Sequence, residues 1–117
     1  MQDFHNLKVW QKAHALTLAV YRVTSTFPAD ERFGLIIQLR RTAAAVPTHL
    51  ADGCGRESDL EFRKALFLAM GSAAQLEYQI LLARDLTYLS DPDHSQLSTD
   101  VVEVRRMLNG LIRTTNS

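Results

Sequence analysis

The sequence predicts an all-α protein, an antiparallel up-down-up-down bundle of four helices with the second helix kinked. Three observations point there. Apolar residues recur at three- and four-residue steps in four successive stretches. Proline, glycine and Ser/Asp punctuation falls between those stretches. No stretch of useful length alternates polar and apolar residues as a half-buried strand would. The connections are short, so helices adjacent in sequence should lie antiparallel.

The first helix is expected from about Leu7 to Thr26, with Val9, Ala13, Leu16, Val20, Val23 and Phe27 along one side. Pro28 ends it, because proline lacks an amide donor and restrains the residue before it. The second helix should start near Asp30 and reach Asp52, carrying Leu35, Leu39, Ala43, Val46 and Leu50 inward. Pro47 removes one intrahelical bond there, so a kink is expected, with a break at Val46 as the alternative. The stripe keeps its phase through Pro47, which favours the kink.

Gly53 has the place of a left-handed C′ glycine, and Ser58 with Glu61 has the spacing of a capping box. The third helix should therefore run from about Asp59 to Tyr88. Its main row is Phe62, Leu66, Ala69, Ala73, Leu76, Ile80 and Ala83, and Gly71-Ser72-Ala73-Ala74 suggests close helix contact. Ser90 or Asp91 can cap the fourth helix, and Pro92 suits its first turn. Leu97, Val101, Val104, Leu108 and Leu111 form its inward row.

Length and composition bound the rest. The 117 residues suit a single domain, residues 1–117, with a proper core. Thirteen basic residues balance thirteen acidic ones, so a polyanion would need locally clustered charge. Cys54 is the lone cysteine, which excludes an intrachain disulfide and suits a reducing cytoplasm. The opening MQDFHNLKVW lacks a basic stretch followed by an apolar run, and no membrane span is expected.

Two rows exceed what one core needs. Phe67, Met70, Ala74, Tyr78 and Leu81 lie roughly 120° around the third helix from its main row. Trp10, Thr17 and Tyr21, with His14 between them, lie roughly 100° from the first helix's core row, and Ile37 lies off the second helix's stripe. These rows either widen the core or form a subunit interface, for which Trp10, Tyr21, Ile37, Phe67, Met70, Tyr78 and Leu81 are the candidates.

Candidate phosphate-neutralising groups are Arg40 and Arg41, Lys8, Lys12 and Arg22 within one band of the first helix, and Arg106 and Arg113 one heptad apart. The competing reading is solvated charge, or partners for Asp30, Glu31, Asp52 and Glu103. His49 and Asp52 are three apart, but no second ligand pair joins them, so no metal or cofactor is expected. Cys54, between two glycines in an expected flexible turn, reads as a small residue rather than a reactive thiol. No nucleophile and base pair stands out, so no enzymatic activity is expected.

Leu39-Arg40-Arg41, Pro47, Ala51-Asp52-Gly53, Gly55-Arg56, Ser58, Glu61-Phe62, Ala69, Gly71-Ser72 and Leu76-Glu77 together carry a resemblance. They are similar to the signature of the four-helix proteins encoded within intervening sequences of bacterial 23S rRNA genes. The accessory proteins of diversity-generating retroelements share that fold. The resemblance extends from Lys8-Val9-Trp10 to Leu89 and thins over the last helix. It implies a homo-oligomer, specifically a homopentamer around a central channel, with RNA or DNA as a candidate partner. The balanced charge keeps open a protein-protein adaptor without nucleic-acid binding.

Overall fold

The structure, a computed structural model, describes residues 2–115, so the expected domain limits at 1 and 117 lie outside the described residues. Four helices follow in order: α1 (Lys8–Thr24), α2 (Leu35–Cys54), α3 (Asp59–Asp85) and α4 (Asp91–Thr114). Single 3-10 turns at Phe4–Asn6 and Ala29–Glu31 precede α1 and α2. No strand occurs among the described residues.

Contacts between named residues fix the directions. Arg40, early in α2, reaches Thr24 and the Tyr21 carbonyl late in α1. Gly53, late in α2, faces Phe62 and Ala65 at the start of α3. Arg63, early in α3, approaches the Ile112 carbonyl late in α4. Each successive pair is antiparallel, and α4 closes the bundle by packing on α1 while α1 and α3 stay diagonal. The rod measures 44 × 23 × 20 Å.

The expected core rows are buried, with two exceptions at the margins. Val23 and Leu111 are only half-buried, and Ile112 is buried where Leu111 was expected. Ala65, Leu66, Ala69, Ala73, Leu76, Ile80 and Ala83 bring α3 inward, and Cys54 lies fully inside at 1% exposure. Cys54 is thus the last residue of α2, packed in the core, rather than part of a flexible turn. Burial raises the Cys54 thiol above its ordinary pKa and keeps it protonated.

α2 runs through Pro47 unbroken. Proline has no amide to offer the Ala43 carbonyl four residues back. The buried Thr17 hydroxyl on α1 supplies a replacement donor, 3.1 Å from the Ala43 oxygen and 2.8 Å from its own Ala13 carbonyl. The hydroxyl has a single proton, shared between these two carbonyls, so a side chain from the neighbouring helix partly replaces the donor that Pro47 removes.

Several boundaries differ from expectation. α2 begins at Leu35 and not at Asp30. Gly34 takes a non-helical backbone there, and the Glu31 carboxylate accepts the free Leu35 amide at 3.2 Å. α3 ends at Asp85 and not at Tyr88, since Thr87 turns to φ 66°. That turn lets Tyr88 pack on Phe27, 5.5 Å between ring centroids, and donate to Glu31 at 2.9 Å. Ser58 caps α3 through the Glu61 amide, and Ser90 caps α4 through the Asp93 amide. Glu61 itself turns to Lys64, so only half of the capping box forms.

The glycines act for reasons other than those expected. Gly53 is helical, not left-handed; a Cβ there would stand 2.5 Å from the Ala65 Cβ, so its role is close helix approach. Gly71 was expected at a helix contact, yet it faces open space. Gly53→Ala is therefore expected to destabilise the bundle by about 1–3 kcal/mol through overpacking. Gly71→Ala should stabilise it by about 0.5–1 kcal/mol through helix propensity. Thr17→Val should cost about 1–3 kcal/mol, and clearly less in a Pro47→Ala background, where the restored amide can serve Ala43. Urea titrations of the four single variants and the double variant measure all of these differences.

Candidate interaction surfaces

α3 is apolar around most of its circumference, and its two sides have different fates. One side is sealed between α2 and α4. The other carries Phe67 at 52% and Tyr78 at 61% exposure, with Leu81 also exposed and Met70 half-buried against the core. Gly71 and Ala74 lie between them and keep the surface flat. Their spacing follows steps of three and four residues, so the stripe is continuous along the helix. Leu60 extends it on α3, Leu68 is exposed about 100° around the helix from Phe67, and Val102 faces outward from α4. By length and composition α3 is also the one described helix apolar enough to cross a membrane, against the sequence expectation. Its fully buried row nevertheless packs on protein.

The other interface candidates sit elsewhere. Trp10, Tyr21 and Ile37 belong to α1 and α2, across the bundle from the α3 stripe. Trp10 is half-buried, with two neighbouring rings packed on its indole. His14 stacks on it at 5.1 Å and 8°, and Phe4 tilts against it at 4.7 Å. Beside this cluster a shallow groove runs between α1 and α2, lined by Thr17, Ala44, Pro47 and Ala51. Tyr21 is exposed with the Arg40 guanidinium 4.7 Å from its ring centroid, and Ile37 is half-buried.

The seven candidate cations divide into engaged and free groups. The Arg40 Nε donates to Thr24 at 2.9 Å and its guanidinium also bonds the Tyr21 carbonyl, tying α2 to the end of α1. Lys12 pairs with Asp100 at 3.3 Å, and Arg106 forms two bonds to Glu103 at 2.6 and 2.9 Å. The Arg106 hydrogen bond holds the Glu103 carboxyl below the usual range. Lys8, Arg22, Arg41 and Arg113 have no carboxylate within 4 Å among the described residues. Lys8 and Arg22 are some 21 Å apart along α1, beyond a Debye length of about 8 Å. The free cations therefore form no single compact patch.

A larger pattern emerges from the helices taken pairwise. α1 contains no acidic residue and α2 only Asp52, at its last turn, whereas both carry Lys or Arg. α3 and α4 hold Asp59, Glu61, Glu77, Asp85, Asp91, Asp93, Asp100 and Glu103. They also hold Arg63, Lys64, Arg84, Arg105, Arg106 and Arg113, so the balanced net charge conceals a basic α1–α2 layer, five cations against one carboxylate, beside a nearly balanced α3–α4 layer, six against eight.

Among the described residues no three His, Cys, Asp or Glu side chains gather as a metal site requires. His49 and Asp52 form no such centre, and Asp52 pairs instead with Arg56 at 3.2 Å.

The molecule is therefore a four-helix bundle whose distinctive features are surfaces. The family described as 23S rRNA-intervening sequence protein matches residues 5–110, and the chain belongs to it. It is also similar to a solved structure, a protein of unknown function of the S23 ribosomal protein family from Bacteroides thetaiotaomicron. The two share 18% identity with a TM-score of 0.81, over 91% of this chain and 99% of that one. At that identity the likeness shows the fold. A comparison with curated proteins finds no match. Neither the family nor the solved structure is described by an enzymatic activity.

The two members of the arginine pair are expected to behave differently. Arg40→Ala should lower stability by about 1–2 kcal/mol, through lost bonds to Thr24 and Tyr21 and lost stacking. Arg41→Ala, on the exposed side, should stay within about 0.5 kcal/mol of the parent. Thermal and urea unfolding of both variants would read this contrast.

Proposed function

We propose that this chain is a single-domain, non-enzymatic interaction protein that works as a homo-oligomer in the cytoplasm. The observation that carries the reading is the exposed stripe of Phe67, Gly71, Ala74, Tyr78 and Leu81 on α3. A continuous apolar row at helical spacing on a water-facing side is the mark of a surface that another helix covers. The second set of candidates, Trp10, Tyr21 and Ile37, lies on the opposite side. Two different faces on opposite sides suit a heterologous contact, in which the α3 stripe of one copy meets the α1–α2 side of the next. Such contacts repeat around a closed ring. The resemblance to pentameric proteins favours five copies.

Light scattering at micromolar concentration is expected to give a multiple of the 13.2 kDa chain, five times for the ring. Phe67→Glu combined with Tyr78→Glu should reduce the particle to a monomer with its helical circular dichroism intact. A wild-type monomer under these conditions would falsify the reading.

A nucleic-acid role rests on a separate observation, the nearly acid-free α1–α2 layer with exposed Arg22 and Arg41. These groups would contact phosphates without reading sequence, an alternative use of the side that the ring contact would cover. Filter binding of structured RNA and duplex DNA at low salt tests it. Arg22→Gln and Arg41→Gln should each lower the salt slope by about 0.7–0.9. Absence of binding at about 10 µM leaves the protein-protein adaptor in its place.

A further inference from the structure

His14 is exposed on α1, in the row that Trp10, His14, Thr17 and Tyr21 form at steps of four, three and four residues. A helix laid across Trp10 and Tyr21 therefore crosses His14 as well. Its imidazole lies almost parallel to the Trp10 indole, with 5.1 Å between ring centroids. It has no carboxylate within 4 Å among the described residues.

The groups around His14 offer a proton no partner. On the N-terminal turn, His5 lies 5.6 Å from the Trp10 ring, and Asp3 is paired with His5 at 2.7 Å. From α2, Ala44, Pro47, Thr48 and Ala51 line the groove beside His14, and none of them titrates. Arg40 lies over Tyr21, and Arg41 stands one turn before Ala44, so the charges that α2 adds nearby are cations. Asp52, the single carboxylate of α2, is held by Arg56 at 3.2 Å. On α1 itself there is no acidic residue, and Lys12 turns away to Asp100 on α4. The α3 stripe brings no carboxylate either, since Glu77 beside Tyr78 is bonded to Arg105.

We propose that His14 makes the assembly acid-sensitive: the α3 stripe of one copy covers the uncharged imidazole of the next, and a proton on that imidazole opposes the contact. This rests on the ring contact proposed above and names its regulation. A protonated imidazole under an apolar stripe is a buried charge without a counter-ion, and burial disfavours the charged form. The free subunit therefore binds a proton that the assembly excludes. By linkage, association is strongest above the range in which an exposed imidazole titrates and weakens as pH falls through it. Exposed imidazoles ordinarily titrate at about pH 6.5, so each contact should weaken about tenfold by about pH 5.5. Carboxylates ordinarily titrate at about pH 4, below this window. His94 is the contrasting case. It lines a hollow beside Tyr78 with Glu77 across from it, and Asp91 stands three residues before it on α4, so its proton has carboxylates at hand.

Sedimentation velocity of the full chain over a concentration series, at about pH 7.5 and about pH 5.5, tests the assignment. The wild-type assembly should need at least about tenfold more protein to form at the lower pH, with its helical circular dichroism unchanged. His14→Gln should remove that difference, and His94→Gln should keep it. Four results would each overturn the role of His14: an assembly equally stable at both pH values, the same acid loss in His14→Gln, its disappearance in His94→Gln, or acid loss of the helical signal itself. A wild type that is monomeric even at the higher pH rejects the ring contact, a result distinct from an assembly indifferent to acid.

Discussion

Because α2 lies close to α1 on one side and to α3 on the other, every later feature of the bundle depends on small groups along its two faces. Toward α3, Gly53 leaves room for Ala65 at a separation that no Cβ would permit. Ala69, Ala73 and Ala83 continue the buried row of α3 without bulk. Toward α1, the Ala43 carbonyl comes within reach of Thr17, which allows the helix to carry Pro47 through its interior. The proline is tolerated because a neighbouring helix partly answers for the missing amide, and that answer requires close approach. With α2 and α4 seated on its buried sides, α3 has one face left, and it is apolar. The exposed Phe67 and Tyr78 are thus a consequence of where α2 sits.

The charge distribution has the same origin. Residues that point outward from a bundle are free to segregate, because none of them decides the packing. Here the helices that carry few or no carboxylates, α1 and α2, are neighbours, and so are α3 and α4, which hold nearly all the helical carboxylates together with six cations. Lys12–Asp100 stitches the two layers together along the α1–α4 seam. Arg105 and Glu77 pair across α3 and α4, and Arg106 and Glu103 pair within α4, so much of the charge there is internally compensated. Arg22 and Arg41 lack such compensation among the described residues. Equal totals of positive and negative residues say little about a surface that is divided in this way.

The fold was largely legible in the sequence because helix rows and caps are local. Leu39, Ala43, Val46 and Leu50 recur at the right period, and Ser58 and Ser90 precede their helices at capping distance. What escaped were effects that require a partner in space. Gly53 reads locally as a left-handed helix end, but its steric neighbour is Ala65 on the next helix. Cys54 reads as part of a flexible turn, but α2 carries it into the core. Pro47 signals a lost bond, and nothing local reveals that Thr17 partly replaces it. Asp30–Leu35 reads locally as helix, but Gly34 breaks that run, and Phe33 ends on a connection. The surface candidates suffered most, since helix position alone cannot tell Arg40, tied to Thr24, from its free neighbour Arg41.

Exposure of a stripe also bears on which assembly could be stable. Burying Phe67 and Tyr78 would return about 1.5–3 kcal/mol for each large side chain. Joining two subunits costs an estimated 4–15 kcal/mol in lost translational and rotational freedom. A contact centred on so few large side chains is therefore marginal for an isolated pair. A ring changes the balance, because each subunit has a neighbour on both sides and the final contact closes without a further loss of translational freedom. The positions of Phe67, Tyr78 and Leu81 on one side, with Trp10, Tyr21 and Ile37 on the other, supply the two unlike faces that such closure needs. In the assembly we propose, two such faces would make a closed ring more stable than an isolated pair.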